Sequence, residues 1–139
     1  MRTMVAVFVA GAAVLSCGVV LGAHHSFSSE YDGTKTFKIN GVVSKVEWTN
    51  PHVRFYVDVT EQDGKVTTWN MEIASPSALA RNGWSSRTLK VGDKITVEGY
   101  SGKVVATRGN AKSVILADGR SLFAGAADDP DAAPPDVRQ

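Results

Sequence analysis

Nine residues near the middle of the chain, His52 to Thr60, alternate without a break. The apolar Val53, Phe55, Val57 and Val59 fall on one side of an extended chain, and His52, Arg54, Tyr56 and Asp58 on the other. A helix would mix these two sets. The segment is therefore a strand with one face committed to a core and the other left to solvent or a ligand. The same period resumes after the hairpin signal Gln62-Asp63-Gly64-Lys65, where Trp69, Met71 and Ile73 are placed inward and Thr68, Asn70 and Glu72 outward.

Strand chemistry extends to both sides. Thr36 to Trp48 is rich in Phe, Ile, Val and Trp, and Gly41 interrupts it where a bulge or sharp bend would let the strand change partners. Thr49-Asn50-Pro51 is a turn. Ser75 is a helix N-cap ahead of Pro76 at a first helical position, and Ala78 to Arg81 continue a short helix that Asn82-Gly83 terminates. Lys94 to Tyr100, with Ile95 and Val97 inward, is a fourth strand, and Ala111 to Ala117 a fifth. Asp118-Gly119 turns the chain into a short ending strand around Leu122-Phe123. Three strands, one short helix and two more strands predict an all-β domain, a small five-stranded OB-like Greek-key barrel. An immunoglobulin-like sandwich would need about seven strands and no central helix.

The two ends of the chain read differently. Arg2 precedes an apolar, small-residue run from Val5 to Val20, and Leu21-Gly22-Ala23 offers a cleavage site, so residues 1–23 are expected to be a removed export signal. A membrane span and a lipoprotein signal at Cys17 fit less well. Cleavage would remove the only cysteine and leave a periplasmic or secreted chain that folds on its core alone, with no stable membrane insertion. Residues 126–139 combine Ala, Pro and four Asp and are expected to form a disordered acidic tail. The domain between, residues 24–125, carries 13 Lys and Arg against 10 Asp and Glu. That excess is too small to suggest a nucleic-acid partner.

Taken together, His24-His25-Ser26-Phe27, Glu30-Tyr31-Asp32, Gly41-Val42-Val43, Trp48-Thr49-Asn50-Pro51-His52, Trp69-Asn70-Met71-Glu72, Gly83-Trp84 and Val91-Gly92-Asp93-Lys94 resemble a family of small exported bacterial proteins, the domain of unknown function 6152 type. The resemblance runs from about His24 to Phe123. It implies export and an uncharacterised role, and it supplies no catalytic residues.

All three histidines lie in these motifs. An N-terminal histidine binds one ion through its amino group and its ring, so His24 and His25, joined by His52 from a rigid post-proline position, would offer a nitrogen-rich site suited to copper. Glu47 and Glu72, on adjacent strands, are expected to orient the ring of His52. Cleavage one residue earlier would give Ala23-His24-His25, a square-planar site that does not need His52. The competing reading makes His24 and His25 part of a flexible terminus and His52 part of a turn.

Met71 is assigned to the core by its alternation. The strand carboxylates have no spacing that pairs them for acid-base work, and no catalytic constellation is identified. Trp48, Arg54, Tyr56 and Glu72 are the residues expected to contact an organic ligand. Trp69 is expected to be buried, and Trp48 and Tyr56 exposed. Two functions stand side by side: a metal-holding module, and a metal-free envelope adaptor or oligosaccharide-binding barrel.

Overall fold

The computed structural model describes residues 27–125. The expected signal, the histidine pair His24-His25 and the acidic tail from Ala126 lie outside the described residues.

Residues 27–30 form one helical turn, α1. The chain continues through β1 (Tyr31–Glu47), β2 (Arg54–Thr60), β3 (Val66–Glu72), the helix α2 (Pro76–Arg81), β4 (Lys94–Gly102), β5 (Arg108–Leu116) and β6 (Ser121–Phe123). The sheet has the order β3-β2-β1-β4-β5-β6, and a parallel pairing of β3 with β5 closes five of the strands into a ring. All other neighbours are antiparallel. The described residues thus contain two short helices, α1 adding to the one expected. No helix among them is long and apolar enough to cross a membrane.

Closure depends on β1 serving two partners. Its first part, to Val42, pairs with β4, and Val42 to Glu47 pair with β2. Gly41 stands at the changeover, where a Cβ would meet Val57 Cγ1 at 2.5 Å and the Asp58 carbonyl oxygen at 2.6 Å. The glycine is a close approach of backbones. The register shift on the β2 side falls between Val43 and Lys45, making Ser44 the extra residue. A second close approach occurs where β4 meets β5, because a Cβ on Gly99 would lie 2.1 Å from the Asn110 carbonyl oxygen.

The alternation read from the sequence fills the interior. Val43, Val53, Phe55, Val57, Met71, Ile73, Ile95, Val97 and Val114 are buried. Full burial of a side chain such as Phe55 contributes about 1.5–3 kcal/mol relative to exposure. Trp69 is only half-buried, against the expectation; it packs on this core beside Phe37 at a ring separation of 5.0 Å. Helix α2 starts as its sequence implies, with Ser75 Oγ accepting from Ala78 N at 3.3 Å and Pro76 in the first turn. It buries Leu79 and ends before Gly83, whose φ of 83° is accessible to glycine.

Candidate functional site

The β2–β3 pairing sets Arg54 opposite Glu72. The ladder continues beyond both strands, since Val53 N donates to Ala74 O and Ile73 N to Val53 O, at 3.1 and 3.0 Å. His52, two residues before Arg54, is held by this extension and shares its outward face. The imidazole Nδ1 lies 2.8 Å from Glu72 Oε1. Arg54 Nη2 donates to the other carboxylate oxygen, Oε2, and Arg54 Nη1 reaches Asn70 Oδ1 at 3.4 Å.

Glu72 is only 7% exposed although it points away from the core. Its cover comes from two segments remote in sequence. Arg108, the first residue of β5, pairs with Asn70 in the parallel ladder and brings Nη2 to 4.0 Å from Glu72 Oε2. The same Nη2 lies 2.7 Å from Glu30 Oε2 on α1. Arg108 therefore joins the start of the described chain to the carboxylate that holds His52. Phe27 adds an apolar contact, its ring 5.6 Å from those of both Tyr31 and Tyr100. Lys103 N donates to Glu30 O at 2.9 Å.

Tyr31 completes the cluster. It is 2% exposed, and its hydroxyl finds no hydrogen-bond partner of good geometry among the described residues; nor does Arg108 Nε. Burial, reinforced by the nearby Glu72 carboxylate and opposed by Arg108 and Arg54, pushes the Tyr31 phenol up to about 12.

The chemistry follows from which atoms are occupied. Both Glu72 oxygens are engaged, so Glu72 orients and neutralises its neighbours. Nδ1 faces Glu72, so Nε2 is the outward nitrogen of His52, whose side chain is 38% exposed. A buried carboxylate behind a half-exposed imidazole is the arrangement that fixes a ligating histidine.

Of the other expected residues, Tyr56 lies on the same face of β2 as Arg54. Its hydroxyl donates to Glu47 Oε2 at 3.1 Å, and Lys45 Nζ stands 5.1 Å from its ring centre. The Lys45 ammonium is the main influence holding the Glu47 carboxyl below its ordinary range. Glu47 thus serves Tyr56 and Lys45, and Glu72 alone holds His52. Trp48 does not join them. It packs against the core next to a small apolar crevice lined by Val46, Val53, Ile73 and Trp84. Trp84 is itself buried, and its indole Nε1 donates to Phe123 O at 2.9 Å.

The sequence reading began the fifth strand at Ala111, which left Arg108, Gly109 and Asn110 outside it. In the structure all three belong to β5. A Cβ at Gly109 would come within 2.7 Å of Phe37 and 2.8 Å of Met71 Sδ, so glycine lets β5 approach β3 closely. The signal available was the closure itself: a fifth strand returning beside the third must set the residues before Ala111 against Asn70 and Glu72. Among the described residues there is no group of three or more metal-ligating side chains.

These features define a closed five-strand ring with the connectivity of OB-type domains, carrying a buried glutamate and an oriented histidine on the outer face of β2 and β3. The chain belongs to the family of unknown function DUF6152, whose profile matches residues 12–112. No curated protein matches it. Among solved structures it is similar to the mitochondrial single-stranded DNA binding protein Rim1 of S. cerevisiae, with 12% identity and a TM-score of 0.48 over 60% of this chain and 93% of that one.

Proposed function

We propose that this protein is an exported binding module that holds a copper-type ion through His52 together with His24 and His25. The observation that carries the reading is the contact of His52 Nδ1 with the buried Glu72 carboxylate, which leaves Nε2 as the outward nitrogen. A second support is the ion-pair chain from Glu72 through Arg108 to Glu30, six residues after His24. Imidazole and amine nitrogen suit copper better than calcium or magnesium. Removal of residues 1–23 on export to the periplasm or medium would supply the free amino group of His24.

Metal-free binding of a small envelope ligand is the second reading. It is favoured by the position of Arg54 and Tyr56 on the face where OB-type domains take their ligands. Nucleic acid is not part of either reading, given the small basic excess of the body.

Electron paramagnetic resonance of one equivalent of Cu(II) separates the two. The sample is the exported protein with its terminus fixed by intact mass, beside His52→Ala. A metal site built with His52 changes its spectrum in the variant. An unchanged spectrum removes His52 from the site and confines any bound ion to the terminal histidines; the metal-free reading then applies to the β2–β3 face, for which quenching of tryptophan fluorescence by glycans or envelope proteins, insensitive to a chelator, is the expected result.

A further inference from the structure

Charge is distributed unevenly outside the Glu72 cluster. A groove of about 510 Å³ runs between the α2–β4 loop and the β5–β6 turn, with Arg87, Lys90, Lys94 and Arg120 along it. Its two carboxylates are already engaged. Asp93 accepts from Lys90 N at 2.9 Å, and Asp118 accepts from Arg120 N and Nε at 3.0 and 2.8 Å. Arg87, Lys90 and Lys94 are exposed, and none has a carboxylate partner among the described residues. Ile95, Leu116 and Leu122 add apolar surface to the groove.

The complement to this groove lies in the same chain. Residues 27–125 contain 13 Lys and Arg against 10 Asp and Glu, whereas residues 126–139 contain four Asp and one Arg. The two parts carry excesses of equal size and opposite sign. Three of the four aspartates, Asp128, Asp129 and Asp131, are gathered around Pro130, with Ala126, Ala127, Ala132 and Ala133 on either side. Small apolar residues fit the groove's aliphatic surface, and closely spaced carboxylates fit a row of cations.

Chain continuity leaves the two within reach of each other. Leu122 of β6 lines the groove, and the described chain ends at Gly125, two residues after β6. At about 3.3–3.6 Å per residue, the six residues from Gly125 to Asp131 reach roughly 20 Å. Such tethering supplies an effective concentration in the mM range, so a weak contact suffices.

We propose that the groove is a binding site for acidic, proline-containing peptide, and that its resident occupant is the segment Asp128-Asp129-Pro130-Asp131. This site is separate from His52 and does not depend on the metal reading.

The test uses the full chain. Amide chemical shifts of the wild type are compared with those of a variant carrying Asp128→Asn, Asp129→Asn and Asp131→Asn. Differences are expected within residues 85–94 and 117–122, and raising salt from about 0.02 to about 0.5 M should produce the same displacements in the wild type, because exposed pairs are screened. On a Lys90→Glu, Lys94→Glu background the three Asn substitutions should lose this effect. Differences that fall on another face, or none beyond the substituted residues themselves, overturn the proposal.

Discussion

The charges around Glu72 and those along the β5–β6 groove make opposite use of the same side chains. Around Glu72, His52, Arg54 and Arg108 converge on one carboxylate that the fold has removed from water. Along the groove, Arg87, Lys90 and Lys94 stand in solvent without an acidic partner among the described residues. A converging set in a low-dielectric place gains rigidity and loses sensitivity to salt, while a solvated row stays available and is screened. The first arrangement suits holding an imidazole in one orientation. The second suits an occupant that comes and goes.

The contrast is most open to attack at Glu72. Glu72→Gln keeps the shape, removes the charge and leaves Arg54 without its counterion, so a loss of about 2–3 kcal/mol in urea unfolding is expected. A loss below about 0.5 kcal/mol would mean that water screens this cluster as it screens the groove.

Tyr31→Phe sharpens the same point from the neutral side. Deleting a buried hydroxyl that lacks a partner of good geometry yet lies beside the Arg108 guanidinium should change stability by less than about 1 kcal/mol. It should also alter the alkaline limb. The folded phenol is pushed up to about 12 from an ordinary 10, so the native state keeps its proton after the unfolded chain has lost it, and stability falls as pH rises from 10 to 12. Denaturation midpoints across that window should decline less steeply in the Phe variant. Parallel curves would place the hydroxyl in water.

The smallest effect belongs to the groove. Lys90→Gln is expected to lower stability by less than about 0.5 kcal/mol at low salt and by nothing measurable at high salt. A larger loss would show that the solvated row contributes to folding and is less unlike the Glu72 cluster than its exposure implies.

Much of the ring was legible in the alternation of β2, β3 and β4. Val53, Phe55, Val57, Met71, Ile73, Ile95 and Val97 are buried as read, because a strand with one wet face leaves no other solution. The start of β1 and the start of β5 were not. Asp32 to Lys35 have the composition of a turn, and Arg108-Gly109-Asn110 that of a loop. Asp32 to Lys35 lie in the register irregularity between Tyr31, opposite Gly102, and Thr36, opposite Tyr100, while Arg108 to Asn110 become strand through Asn70 to Glu72, far away in the chain.

The site divides along the same line. That Glu72 faces outward and stands near His52 followed from strand period and order. That it is shielded from water did not, because the shield is built by Tyr31, Arg108 and α1, and no local pattern announces a segment folding over the outside of a ring.

The way the ring closes has one more consequence. Of β3 only Asn70 to Glu72 pair with β5, and β6 covers Ser113 to Ile115 further along. The free sheet margins beside these pairings are the first four residues of β3 and the three residues of β6. Another chain seeking to add itself by backbone hydrogen bonds finds only short templates there, so the closure also guards this small domain against edge-to-edge aggregation.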